Sequence, residues 1–484
     1  MNATASSPSP DSTDVPAPGP ELSELEVAWS RMKNAWNADR GLPYKQRMSL
    51  LKALGKQVKA RREAIAAAIS ADFGNRSAAE TELGEIWVVL EEIKHARLHL
   101  ADWMEPIEAE IGWTLKPASG RTELQPLGVV GIISPWNYPL QLALAPLVAA
   151  IAAGNRVLLK TSEYTPKTSA LLKEIVAEVF PAEVCVVIEG DARVGAAFSA
   201  LPFDHLLFTG STSVGRLVMQ AAAKNLTPVT LELGGKSPCI VHPSFSITKA
   251  AERIVWGKTY NSGQTCIAPD YVLLPKDKVE EFVAAARASF SKMYPTIDGN
   301  ADYTSIVSDR HHKRLHQLVD EAAQAGARVE TLGEDAPDSR RMALRLVVDP
   351  DLSLTVMQDE IFGPVLPIIG VDNVDAAVSF VNARPRPLAL YYFDHGRRRQ
   401  RQVLDATHSG GVCLNDCLLH VTQADLPFGG VGPSGMGAYH GHHGFLAFSH
   451  QRAVLKQPRI NAVSILNPPY GGLMKWFTKL VTAL

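Results

Sequence analysis

A chain of 484 residues, 46% hydrophobic and 20% charged with a formal net charge of -2, exceeds the size of a single core and lacks the charge excess of a nucleic-acid or membrane-surface protein. Two domains with a cleft between them are expected. Five cysteines, an odd and sparse set, with no secretory signal in view, point to reduced thiols in the cytoplasm rather than a disulfide framework.

Residues 1–20, MNATASSPSPDSTDVPAPGP, hold no apolar run and no Lys or Arg, and read as a disordered tail. Leu50, Leu51, Leu54, Val58, Ile65, Ile69 and Phe73 recur near helical spacing, which predicts a helical layer over a sheet. The stretch GWTLKPASGRTELQPLG, with β-formers Trp113, Thr114 and Thr122 around Pro and Gly, predicts a hairpin able to pair with another subunit. Then LGVVGIIS, NRVLLK, VCVVIEG, HLLFTGS and PVTLELGG form short strands, with PLQLALAPLVAAIAAG and KTSALLKEIVAEVF as helices between them. Such alternation predicts βαβ units and a parallel sheet covered on both faces, with ligands at the carboxyl ends of its strands. That rule singles out the loops SPWNYP, KTSEYTP and FTGSTSVG. A second α/β segment is expected from Ser237 to about Asp416. The last stretch, LMKWFTKLVTAL, puts Leu473, Trp476, Phe477, Leu480 and Val481 on one helical face, expected to dock on its own protein or a partner subunit in preference to a membrane.

Several motifs fail as local signals. The spacing of Gly210 and Gly215 is not the dinucleotide GxGxxG, and a plain strand-to-helix turn explains it as well as cofactor binding does. GGKS at Gly234–Ser237 is not a Walker A loop, because Thr230 stands where that loop needs glycine. His440, His442, His443 and His450 crowd one stretch without a Cys or carboxylate among them, so no metal is expected there. Cys185, Cys239, Cys413 and Cys417 read as small buried hydrophobes. Cys266, on a turn between Gly263 and Pro269, is open between nucleophile and structural thiol.

Taken together and in order, PWNYP, KTSEYTP, FTGS, LELGGKSP, NSGQTCIAPDY, DEIFGP and PFGGVGPSGMG resemble the aldehyde dehydrogenase superfamily from about Ala28 to His450. ADFGNRS, ETELGEI, GQTCIAPDYVLL and FGGVGPSGMGAYHG resemble its class of fatty, aromatic and coniferyl aldehyde dehydrogenases, bacterial coniferyl members most closely. The resemblance implies an α/β fold with a Rossmann-like NAD-binding domain (21–110 and 128–230). It further implies a catalytic α/β domain (231–418), a β oligomerisation arm (111–127 and 419–460) and a C-terminal tail (461–484).

It also implies site roles. Cys266 is the nucleophile, Asn137 with the Cys266 amide holds the oxyanion, and Glu232 activates the hydrolytic water. Pro135, Trp136, Lys160, Glu163, Gly210, Ser211, Gly215, Glu360 and Phe362 fall on the cofactor, with Glu163 favouring NAD while NADP stays possible. Oxidation of an aldehyde, aromatic or coniferyl first and aliphatic second, by a cytoplasmic homodimer is the implied function. A cofactor-independent Cys/Glu esterase and a non-catalytic protein of the same fold are the other readings.

Overall fold

The computed structural model describes residues 20–337, 339–461 and 463–483. The expected tail at 1–20 falls almost wholly outside the described residues, and from Pro20 a helix runs to Ala38.

A six-stranded sheet takes the spatial order Gly435–Met436, Val229–Glu232, His205–Thr209, Val129–Ile133, Arg156–Lys160, Cys185–Ile188. Its strands are parallel except the short Gly435–Met436, which pairs antiparallel with Leu231 and Glu232. They are nearly continuous runs of Val, Leu and Ile because both faces are covered. The chain builds outward from Val129–Ile133 to Cys185–Ile188, then returns to the other side with His205–Thr209. The crevice between these two directions opens beyond Ile133 and Thr209. The helix Gln141–Ala153 is buried along its whole length, sheathed by the helices Tyr44–Ala60 and Trp87–Trp103. The predicted helical layer is therefore present, and its apolar residues from Leu50 to Phe73 are in the core.

A seven-stranded sheet follows, ordered Arg328–Leu332, Leu344–Val348, Val365–Val371, Pro269–Pro275, Ser237–Val241, Ala389–Phe393, Gly411–Leu414. Only the edge strand Arg328–Leu332 is antiparallel. Cys239 and Cys413 flank Tyr391 in its registry, Cys185 lies in the first sheet, and all five cysteines are free. The small third sheet pairs Ser119–Pro126 with Ser449–Lys456 and Ile107–Ala109.

Two expectations need correction. Trp113 and Thr114 are not strand residues: Trp113–Leu115 is a 3-10 turn closed by Leu115 N–H to the Gly112 carbonyl (3.0 Å), and Ile107–Ala109 supplies the hairpin's first strand. Pro117, which has no N–H to give a ladder, fits a turn better than a strand interior. The helix Gly472–Thr482 is not buried against its own chain: Leu473 and Trp476 are 61% and 60% exposed, and it touches the turn Val463–Leu466 and, through Phe477, Trp113 at 6.4 Å between ring centroids.

Asn155, fully buried, knits the first sheet to its neighbours. Its Oδ1 accepts from Gly128 N–H (2.9 Å), and its Nδ2 donates to the carbonyls of Ala150 (3.2 Å) and Phe448 (2.9 Å). Asn155→Ala takes the partner from the Gly128 N–H and the Phe448 carbonyl, while Ala150 O keeps the Asn155 N–H (3.0 Å), and a loss of about 2–4 kcal/mol is expected. Urea unfolding is the check; a midpoint equal to that of the parent would refute this bracing role.

Candidate active site

The two larger sheets meet over a cavity of about 1050 Å³. Pro135, Trp136 and Asn137 reach it from the loop after Val129–Ile133, Gly210 and Ser211 from the loop after His205–Thr209, and Glu232 from the end of the next strand. Cys266, Glu360 and Phe362 face it from the second sheet's side. Gly215 lies in the helix Thr212–Ala223, which Ser211 caps through Val214 N–H (3.4 Å). A Cβ there would stand 2.6 Å from Leu233, so this glycine permits close helix-to-strand packing and does not line the cavity. Lys160 and Glu163 also stand outside the lining. Lys160 Nζ donates to the carbonyls of Thr161 (2.9 Å) and Gly190 (2.5 Å) and lies 3.7 Å from Glu163.

Cys266 follows a turn of unusual shape. Asn261, Ser262 and Gly263 have φ of 51°, 51° and 73°. Left-handed backbone costs a non-glycine residue about 1–2 kcal/mol, so the surroundings must hold it. Asn261 Nδ2 donates to the carbonyls of Asn137 (3.0 Å) and Gln264 (3.1 Å). Gln264, also buried, gives Nε2 to Asn261 O and Ser305 O (both 3.0 Å) and accepts Val307 N–H at 2.9 Å. Asn137 Nδ2 donates to Gln264 O at 3.2 Å, which ties the first sheet's loop directly to the cysteine's. The Tyr138 hydroxyl meets Thr265 Oγ1 at 2.7 Å.

The acidic groups share one electrostatic condition. Burial pushes the Cys266 thiol up, and the nearby carboxyls of Glu360 and Glu232 push it further. Burial also raises Glu232 well above the carboxylate range; neither of its oxygens has a hydrogen-bond partner among the described residues. Glu360 is pushed up to about 8, chiefly by burial and then by Asp270. Desolvation is the largest cause in each case and favours the neutral form.

Glu360 and Phe362 are held through their own backbone. Lys236 Nζ donates to Asp359 O (2.8 Å), Arg314 to Glu360 O (2.6 Å) and Ile361 O (2.8 Å), and His311 Nε2 to Phe362 O (2.7 Å). A carbonyl can only accept, so His311 carries its proton on Nε2; burial lowers its pKa to about 4 and keeps the ring neutral. Asp270 fixes Lys236 from behind at 2.5 Å. Four consecutive carbonyls thus meet side-chain donors, which holds Phe362 at φ 55° with its ring 5.3 Å from that of Trp136. A Cβ at Gly234 would collide with the Glu360 carboxylate, so the strand end carrying Glu232 closes against this loop.

Sequence reasoning missed Arg314 and His311, which lie on the distant helix Asp309–Gln324, and quoted Lys236 only as part of a motif. For the first two no local signal exists. Arg216, Arg310, Arg384 and Arg386, also lining the cavity, were missed as well. Among the described residues no three His, Cys, Asp or Glu side chains converge as a metal site; His440 is buried 3.8 Å from Glu92 and His442 stacks on Trp103.

A profile of the Aldehyde dehydrogenase family matches residues 7–454. A probable coniferyl aldehyde dehydrogenase of Pseudomonas aeruginosa is 50% identical, the match covering 96% of this chain and 97% of that protein. A coniferyl aldehyde dehydrogenase of a Pseudomonas species is 47% identical over 93% and 94% of the two chains. Among solved structures, AldH of Staphylococcus aureus in a substrate-bound state superposes with a TM-score of 0.90 at 37% identity, covering 94% of this chain and 99% of that one.

Because the thiol is pushed upward in the ligand-free protein, alkylation of Cys266 by iodoacetamide is expected to rise about tenfold per pH unit with no plateau below about pH 9. Labelling followed by mass spectrometry at several pH values reads this. A plateau near neutrality would mean that a positive group lowers the thiol's pKa.

Proposed function

The chain belongs to the aldehyde dehydrogenase family, and on that premise we propose that it oxidises coniferyl aldehyde or a related aromatic aldehyde to the carboxylic acid, with NAD as preferred cofactor. The observation carrying the mechanism is the convergence of Cys266, Glu232, Asn137, Glu360 and Phe362 on one cavity. The relatives named above support the substrate.

The cleft fits an NAD(P) cofactor on its own chemistry. Glu360 Oε1 is buried without a partner, an acceptor suited to a ribose hydroxyl, and the cleft opens at the topological switch point where α/β sheets receive dinucleotides. Glu360 and Phe362 would hold the nicotinamide riboside, Gly210 and Ser211 the diphosphate side, and Lys160 with Glu163 the adenine ribose. A carboxylate at Glu163 would repel a 2'-phosphate, hence the preference for NAD. When bound, the nicotinamide supplies a hydride acceptor.

The chain's own groups do the rest. Cys266, as thiolate, adds to the aldehyde carbonyl. The second N–H of the Asn137 amide and the Cys266 backbone N–H stabilise the oxyanion, donors already in place before charge develops. Loss of hydride from the carbon leaves a thioester on Cys266. Glu232, as carboxylate, takes a proton from water, and the resulting hydroxide attacks the thioester and frees the acid and the thiol. Its burial suits this role by raising its basicity. We read the enzyme as a cytoplasmic homodimer, supported by five free cysteines and by the exposed strands of the small third sheet. Among the described residues no helix is long and apolar enough to cross a membrane.

Cys266→Ala is expected to abolish NADH formation. Glu232→Gln is expected to give a single burst of NADH, about one equivalent per site, without steady turnover; unimpaired turnover in that variant would remove Glu232 from the mechanism. A panel of aromatic and aliphatic aldehydes with NAD and NADP, ranked by kcat/KM, tests the substrate and cofactor. Higher values for long aliphatic aldehydes, or for NADP, would overturn the respective assignment.

A further inference from the structure

The motifs ADFGNRS and ETELGEI carry three buried charges that the mechanism above does not use. Arg76, Glu80 and Glu85 are 2%, 7% and 0% exposed, on the chain that leaves Gly74 and passes through the helix Ala78–Thr81 and the π-helix Glu82–Ile86. They lie far from Cys266 in sequence, and π-turns inside helices recur at functional sites.

Their contacts run to both halves of the active site. Glu80 Oε1 accepts Asn261 N–H at 3.1 Å, at the first residue of the left-handed turn, and its Oε2 accepts the Thr304 hydroxyl at 2.6 Å. The Glu80 carbonyl accepts the Tyr260 hydroxyl at 3.1 Å. Arg76 donates to the Asn137 carbonyl (2.7 Å) and to Glu85 Oε1 (3.1 Å). Glu85 Oε2 accepts the N–H groups of Leu140 (2.9 Å) and Gln141 (2.8 Å), where the helix after Asn137 begins. The Asn137 carbonyl thus receives Arg76 from one side and Asn261 from the other.

We propose that Glu80 is a positioning residue for the Cys266 loop, acting with the Arg76–Glu85 pair to hold the turn Asn261–Gly263 against Asn137 so that both oxyanion donors aim at one point. This rests on the roles proposed above for Cys266 and Asn137. Without the Glu80 carboxylate the Asn261 N–H is a buried orphan donor, and the left-handed pair Asn261–Ser262 loses the contact that enforces its first member. Displacing reacting groups by about 1 Å can cost about 100-fold in rate. The loop carrying Glu360 and Phe362, proposed above to hold the cofactor, is fixed by Lys236, Arg314 and His311 and, among the described residues, makes no hydrogen bond to Glu80.

Hydrogen exchange and steady-state kinetics on the full chain test this with Glu80→Ala and Glu80→Gln. In Glu80→Ala the amides of residues 260–266 are expected to exchange at least about tenfold faster, with the strand Val129–Ile133 unchanged, and kcat to fall about 10- to 100-fold at a KM for NAD within about twofold of the parent. Glu80→Gln, whose amide oxygen still accepts from Asn261, is expected to restore protection and most of kcat. Should Glu80→Ala not fold, Thr304→Val, which removes the donor to Oε2 without changing size, is expected to show the same pattern at smaller amplitude. Unchanged exchange at 260–266, or a fall in kcat that Glu80→Gln does not relieve, would overturn the proposal. A parent without aldehyde-dependent NADH formation would instead fail the proposed function, and the exchange result would still decide the role of Glu80.

Discussion

The active site depends on a backbone conformation that its own residues do not prefer. Asn261 and Ser262 are left-handed without being glycines, and only the surrounding hydrogen bonds make that turn affordable. Asn261 joins Gln264 to Asn137, Gln264 reaches Ser305 and Val307, and Asn137 returns to Gln264. Loops from two different sheets therefore share one lattice of buried amides. The Gln264 and Asn137 carbonyls each accept two donors, whereas loss of the Gln264 amide would leave the Val307 N–H without its partner.

The acidic groups of the cavity are also biased by their burial. Cys266, Glu232 and Glu360 all face the same low-dielectric space and all are biased toward their protonated forms. Two of the positive groups lining it are occupied: Lys236 by Asp270 and two carbonyls, Arg314 by the backbone of Glu360 and Ile361. Their work is geometric, fixing a four-carbonyl loop rather than lowering a pKa.

Much of the fold was readable from local pattern. Runs such as NRVLLK and HLLFTGS became strands of the first sheet, and Gln141–Ala153 became the buried helix, because continuous apolar sequence has nowhere else to go in a covered parallel sheet. Trp113 and Thr114 were misread because β propensity is weaker than the turn chemistry of Gly112 and Pro117. The helix Gly472–Thr482 has the expected amphipathic pattern, yet pattern alone does not say whether the chain has a surface to receive it.

The sequence alone determined the family, since the strings around Asn137, Glu232, Cys266 and Glu360 and their glycine-rich loops occur in a specific order along the chain. Tertiary structure decided what surrounds them. That Gly215 serves packing, that Lys160 and Glu163 stand outside the cavity lining, and that Arg314, His311, Arg76 and Glu80 bond the backbone of Glu360, Phe362, Asn137 and Asn261 follow from contacts between segments far apart in the chain. The physical reason is burial: charges and donors acquire these roles only when water is removed and their one remaining partner comes from another part of the fold.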